Sequence, residues 1–342
     1  MKTLRLKAMS ENAVNEIGKA AEILKNGGLV AIPTETVYGL AASAFDEKAV
    51  ANIFKAKGRP NDNPLIVHIA EIDELHSIAK NITPIAKKCM DAFWPGPFTA
   101  VLPKKDVIPS SVSGGLDTVA VRLPSNAVAR AIIRASGLPL AAPSANRSGS
   151  PSPSTAEHVI DDLDGRIDAV VISEKCEVGV ESTVVTFATE PPRLLRPGGI
   201  TVEQLKILIP DLVIDPAVTA EPEKGAKVAS PGMKYKHYAP RAEVIMAVGS
   251  INSFCEYCNE HKNDFDFALC YDEDELKLSI PHISLGANDD HEKQAELLFD
   301  FLREIDKKGY ERVIVHAPLQ VGVGLAVYNR LIRAAGFKVI DL

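Results

Sequence analysis

The sequence predicts an α/β protein in two parts, a larger one with a mostly buried sheet and a smaller one of Rossmann-like pattern. Short runs rich in Val, Ile and Ala alternate with amphipathic stretches of helical length through the first two hundred residues. The same alternation resumes after a stretch punctuated by prolines. The chain of 342 residues exceeds what one hydrophobic core usually serves, and its 46% hydrophobic content is ample for burial.

Residues 12–25 have the spacing of an amphipathic helix, which Asn26-Gly27-Gly28 ends before the apolar strand Leu29-Val30-Ala31-Ile32. Residues 46–55 read as a helix with Ala49, Val50, Ile53 and Phe54 as its apolar face, leaving Lys57 and Arg59 just past its end. Further helices are predicted over 83–93, 126–135 and 155–162, the last with Thr155 as N-cap. Thr201-Val202-Glu203-Gln204 has the form of a capping box and starts a final short helix. One strand leads to His68, one runs from Thr118 toward Arg122, and others fall at 98–102, 169–172 and 183–187. Prolines at 210, 216, 222, 231 and 240 mark 211–240 as a linker. Strands at 244–248, 267–270 and 313–316 then alternate with helices at 292–307 and 326–335, so the predicted units are 1–210 and 241–342.

Composition narrows the function classes. The formal net charge is -7, with the first part near neutral and the acidic excess beyond it, which argues against a C-terminal nucleic-acid arm. No long apolar span and no basic, apolar leader is present, so a cytoplasmic protein is expected, without membrane contact. Five cysteines without regular spacing fit a reducing compartment. Cys255-Glu256-Tyr257-Cys258 has His261 nearby but no second pair of ligands, so no metal is assigned there. Val321-Gly322-Val323-Gly324 lacks the third glycine of a dinucleotide fingerprint, and no Walker-type loop occurs.

Four segments carry the chemistry. Pro33-Thr34-Glu35-Thr36-Val37-Tyr38-Gly39-Leu40 crowds hydroxyls onto the exit of a buried strand, where open α/β sheets bind ligands. Lys57-Gly58-Arg59-Pro60 puts two cations on a stiff loop before a strand, an arrangement suited to phosphate. Pro143-Ser144-Ala145-Asn146 offers small residues for close approach, with donors and acceptors beside them. Arg122 and Arg196 each stand at a strand end, the second shortly after Gly179-Val180-Glu181-Ser182. Singly, each segment also reads as a hydroxyl-rich turn, a helix-end cation or a solvated arginine. Together they suggest several anionic groups held in one cleft.

In this order the segments resemble the threonylcarbamoyl-adenylate synthase family of the YrdC-like superfamily, with Lys57-Gly58-Arg59 and Ser144-Ala145-Asn146 matching its Lys-x-Arg and Ser-x-Asn pairs. The resemblance covers roughly 10–210. Ser230-Pro231-Gly232-Met233-Lys234-Tyr235-Lys236-His237-Tyr238 is similar to the linker of the family's long, two-domain form. It implies a YrdC-like twisted mixed sheet around a large cavity, with a smaller Rossmann-like C-terminal domain. The implied reaction joins L-threonine, bicarbonate and ATP into threonylcarbamoyl-adenylate and pyrophosphate, with Mg²⁺ accompanying ATP. It serves threonylcarbamoyladenosine formation at position 37 of tRNA, through a downstream transferase complex; direct tRNA contact is not required. The matching positions imply that Thr36, His68, Arg122, Ala142 and Ser182 hold threonine. Lys57, Arg59, Asn63, Thr118, Ser144, Asn146, Ser152, Arg196 and Tyr235 would hold ATP, with Lys57 and Arg59 acting in catalysis and no protein metal ligands. The linker would close over the nucleotide as a lid. An RNA-binding module without turnover is the alternative reading of such a basic hollow.

Overall fold

A computed structural model describes residues 2–9, 13–60, 63–221 and 238–342. The chain opens with β1 (Leu4–Lys7), α1 (Ala13–Lys25), β2 (Val30–Ile32), β3 (Gly39–Ser43), α2 (Glu47–Lys57) and β4 (Ile66–His68). It continues with α3 (Leu75–Ile78), α4 (Pro84–Phe93), β5 (Phe98–Pro103), α5 (Ser110–Ser113), β6 (Thr118–Arg122), α6 (Ala127–Ser136) and β7 (Leu140–Ala141). Then come α7 (Ala156–Leu163), β8 (Ala169–Ile172), β9 (Thr183–Thr186), β10 (Arg193–Arg196), α8 (Val202–Leu208) and β11 (Val213–Ile214). The second unit holds β12 (Glu243–Val248), α9 (Ile251–Glu260), β13 (Phe267–Cys270), α10 (Asp272–Glu275) and β14 (His282–Ser284). It ends with α11 (His291–Lys308), β15 (Arg312–His316), α12 (Gly324–Ala334) and β16 (Val339–Asp341).

Local chemistry sets the helix ends. Asp46 caps α2 by accepting from the Lys48 and Ala49 amides, and Thr83, Asn126 and Thr155 each cap the helix that follows. The Thr201–Gln204 capping box forms on α8. Gly58 ends α2 in the left-handed region, at φ 63°, a conformation that costs glycine least. The helix itself reaches Lys57, two residues further than its apolar face predicts, so that lysine is a helical residue rather than a loop one.

Eleven strands form one mixed sheet in the order β1-β8-β2-β3-β7-β4-β6-β5-β9-β10-β11. The last strand lies inside the stretch that the prolines marked as linker, paired parallel to β10. Val213 and Ile214 alone are too short a run to display an alternation. The second sheet, β14-β13-β15-β12-β16, is parallel throughout, as the Rossmann-like pattern predicts.

Strand alternation divides the side chains between the two faces of the large sheet. Val67, Ala100, Leu102, Val119, Val121 and Leu194 enter the main core under the helices. Ile66, Val101, Ala120, Val184 and Leu195 form a smaller cluster on the other face. His68 pairs in register with Arg122, and Arg122 with Thr99, so these polar side chains fall on that second face. The units share apolar packing, because Val37 and Val180 belong to the cluster built around Phe299 and Tyr238. No helix among the described residues is long and apolar enough to cross a membrane.

Candidate active site

One cavity gathers most of the residues in question. Thr34, Thr36, Val37 and Gly39 from the β2–β3 connection meet Ile66 and His68 of β4, Arg122 of β6 and Ala142-Pro143-Ser144 after β7. Glu181 and Ser182 before β9, Arg196 of β10, Arg59 after α2, and Tyr238 complete the wall, around about 550 Å³ of empty space including the mouth. The cavity lies over a sheet face rather than along a carboxyl edge. A mixed sheet has no single carboxyl edge, since β3 and β7 run against both neighbours and β5 runs against β6.

Arg122 is held from several sides. Its Nη1 donates to Thr36 Oγ1 at 2.8 Å, and Nη2 lies 2.8 Å from Glu35 Oε1 with both side chains buried. That ionic contact lacks hydrogen-bond alignment, so Nη2 and both Glu35 oxygens remain without a hydrogen bond among the described residues. Burial raises the Glu35 pKa, but the Arg122 charge together with polar interactions from Arg122 and nearby backbone outweighs it and holds the carboxyl below its ordinary range. A buried donor left unaligned can donate to a ligand carboxylate without first breaking a good bond.

The remaining polar wall is preorganised. Thr34 Oγ1 lies 2.8 Å from Thr36 Oγ1 and donates to the Val37 carbonyl, which fixes the tight turn of this segment. Ser182 Oγ lies 2.8 Å from Thr99 Oγ1 and accepts from Arg196 Nη2 at 3.1 Å. Burial, then the Arg122 charge, lowers the His68 pKa to about 3, so its imidazole is neutral at physiological pH. Burial likewise lowers Arg196 to about 10, which leaves it charged.

Lys57 stands behind this wall. Its Nζ donates to the carbonyls of Ser144 and Asn146 at 2.5 and 2.6 Å, with Asn146 Oδ1 at 3.3 Å. Burial and the neighbouring Arg59 pull its pKa down, while three oxygens surround the nitrogen. Ser144 Oγ donates to Asn146 Oδ1 at 2.5 Å, and Asn146 Nδ2 donates to the carbonyls of Arg147 and Ser150. Lys57 thus ties the Ser144-Ala145-Asn146 loop into its bend, whereas Arg59 reaches the cavity itself.

Of the residues singled out in the sequence, Thr36, Arg59, His68, Arg122, Ala142, Ser144, Ser182 and Arg196 line the cavity. Lys57, Asn63, Thr118, Asn146 and Ser152 do not. Lys57 and Asn146 touch it through Ser144, and Ser152 through Glu181, whose Oε1 accepts from Ser152 Oγ at 2.5 Å. Thr118 begins β6, four positions before Arg122. Asn63 is buried with Oδ1 lacking a hydrogen bond among the described residues. Tyr235, and with it the lid assigned to the linker, lies outside the described residues. Sequence reasoning missed Glu35 and Glu181. Their signal is a lone acid inside a segment otherwise apolar or hydroxylic.

The described residues include no group of three or more His, Cys, Asp or Glu side chains that could hold a metal ion, and all five cysteines are free and buried.

Comparison with known proteins adds independent findings. A family model of the Sua5, YciO and YrdC proteins, described as "Telomere recombination", matches residues 22–198. A second, "Threonylcarbamoyl-AMP synthase, C-terminal domain", matches 200–336. A threonylcarbamoyl-AMP synthase of Pyrococcus abyssi is 44% identical over 332 residues, 94% of this chain and 95% of the relative. One of Bacillus subtilis is 44% identical over 335 residues, 95% and 94% of the two chains. The crystal structure of the Pyrococcus abyssi Sua5 protein complexed with L-threonine superposes with a TM-score of 0.90, at 42% identity and full coverage of both chains.

Proposed function

This chain belongs to the threonylcarbamoyl-AMP synthase family, in its two-domain form, and from that membership we propose how its cavity joins L-threonine, bicarbonate and ATP. The products are threonylcarbamoyl-AMP and pyrophosphate. One observation carries the reading: Arg59, Arg122 and Arg196 converge on a single cavity otherwise walled by hydroxyls and small residues. That wall suits a carboxylate and a polyphosphate held side by side.

Threonine and bicarbonate first lose water to give the threonine carbamate. A carbamate oxygen then attacks the α-phosphorus of ATP, forming the mixed anhydride as the bond to the bridging oxygen breaks and pyrophosphate departs. This makes the protein a nucleotidyltransferase. Arg122 takes the threonine carboxylate, with Thr36, His68, Ala142 and Ser182 shaping the amino-acid pocket. Neutral His68 adds no charge there, so it can accept from the substrate hydroxyl or amine without repelling its ammonium form. Arg59, Arg196 and Ser144 face the phosphates, with Lys57 and Asn146 bracing that loop from behind. Asn63, Thr118, Ser152 and Tyr235 are assigned to the nucleotide by the family pattern. No protein nucleophile is required, because positioning and charge stabilisation suffice for in-line displacement.

Mg²⁺ is assigned to the triphosphate itself. Among the described residues, Glu181 in the cavity wall and Glu35 beside Arg122 are each held by an arginine and are poorly disposed as ligands. The product feeds a transferase that modifies tRNA, and a cytoplasmic site is proposed with it. The test is direct: purified protein with ATP, bicarbonate and L-threonine should release pyrophosphate, and L-serine should replace threonine poorly. Release that ignores threonine, or tRNA binding without any release, would refute the assignment.

A further inference from the structure

The second unit meets the cavity wall through apolar packing on Val37 and through a buried arginine. Arg330, in the middle of α12, is fully buried and directs its guanidinium into the first unit. Its Nε donates to Glu181 Oε2 at 2.8 Å and its Nη1 to the Pro197 carbonyl at 2.8 Å, while Nη2 lies 3.4 Å from the Glu181 carbonyl. Each partner adjoins a cavity residue: Glu181 precedes Ser182, and Pro197 follows Arg196. Those two are bonded in turn, since Arg196 donates to the Ser182 carbonyl at 3.0 Å and to its Oγ at 3.1 Å.

There is no slack at this junction. A Cβ on Gly198 would stand 2.3 Å from the Glu181 carbonyl oxygen, so the two strand ends are already in closest approach. Glu181 also accepts from Ser152, and the Tyr238 ring stacks 5.6 Å from the Arg330 guanidinium. Burial raises the Glu181 pKa, but Arg330 and then Arg196 outweigh it and hold the carboxyl at about 2. Other contacts also hold the units together. Arg303 pairs with Asp162 and Lys175 with Asp300 elsewhere on the same interface, beside the apolar packing of Val37 and Val180.

We propose that Arg330 is a positioning residue of the active site, setting Ser182 and Arg196 by gripping the residue beside each, so that the second unit completes the cavity it flanks. This rests on the synthase reading for what the cavity binds. Burying a full guanidinium is unfavourable unless every partner is in place, so the cationic fork acts as a rigid staple rather than a pliable contact.

The experiment uses the full chain and threonine-dependent pyrophosphate release. Arg330→Met should raise the KM for threonine roughly 10- to 100-fold, the scale of a slight misplacement of binding groups, with a smaller change in kcat. Lys175→Met, which loosens the same interface away from the cavity, should leave that KM unchanged. Arg330→Met combined with Glu181→Gln should be no worse than the poorer single variant, because both break one linkage. If Arg330→Met does not fold, Arg330→Lys keeps the cation but loses the fork to Pro197, and it should still show the KM rise. A KM within roughly twofold of wild type in the folded Arg330 variant, or an equal rise in Lys175→Met, overturns the proposal. Wild-type protein without threonine-dependent release would instead overturn the synthase reading.

Discussion

Replacing Arg122 with methionine separates two jobs that this residue performs at once. In the folded protein it neutralises Glu35, with the pair's side chains only 4% and 5% exposed. Removing one member of such a pair strands the other charge and typically costs about 3–5 kcal/mol. The loss of the bond to Thr36 Oγ1 adds about 1 kcal/mol. Proton uptake limits the damage, because without Arg122 the burial that pushes the Glu35 pKa up loses its main opponent. Arg122→Met with Glu35→Gln removes both charges and should recover more than half of the lost stability. Activity should stay absent in both variants if Arg122 holds the substrate carboxylate. Trp94, the sole tryptophan, lies buried in the first unit with Nε1 bonded to the Phe98 carbonyl, so its fluorescence in urea reports the stability of that unit. Threonine affinity is then read by calorimetry. Wild-type affinity in the double variant would refute the binding role, and unchanged stability in the single variant would refute the pair.

Three further outcomes follow from the same geometry. Lys57→Met should lose activity and about 1–4 kcal/mol of stability, since it leaves one buried and one part-buried carbonyl without their donor, whereas Arg59→Gln should lose activity with stability nearly intact; urea melts beside pyrophosphate assays decide. His68 titrates near 3 in the fold and near 6.5 when unfolded, so the unfolded chain binds more protons in between and stability falls as pH drops through that window. Thermal melts from pH 7.5 to 4.5 should show that loss, and His68→Gln should flatten it. Burial raises the thiols of Cys89 and Cys255 to about 11 and those of Cys176 and Cys258 to about 12, so a neutral thiol reagent should label native protein slowly and denatured protein at once.

Much of the fold was legible because its signals are local. Helix caps at Thr155 and Thr201 are one-residue statements that the backbone obeys, and the apolar runs at 98–102 and 169–172 had only one use. β7 and β11 were not legible, for two residues cannot display an alternation. Site chemistry divided in the same way. The cations and hydroxyls announced themselves by clustering, but Glu35 was hidden by its neighbours, and the burial of Lys57 turned on where α2 ended by a margin of two residues. Arg330 could not be read at all. Its partner lies 149 positions away, and within its own helix it looks like an ordinary solvated arginine.

The electrostatics explain why such a site needs the whole chain. Among the described residues, Arg59, Arg122 and Arg196 line the cavity with Lys57 and Arg330 behind, and Glu181 in the wall and Glu35 against Arg122 face them. The excess of positive charge is unfavourable in an enclosed space, and it persists in a protein whose net charge is -7. Each carboxylate is spent on one arginine, which lowers the cost of assembly without cancelling the surplus. What is left unbalanced is the charge that a triphosphate and a carboxylate would bring. Substrate binding and the completion of the site's electrostatics are therefore the same event, and stability should rise with nucleotide and threonine more steeply in dilute salt than in concentrated salt.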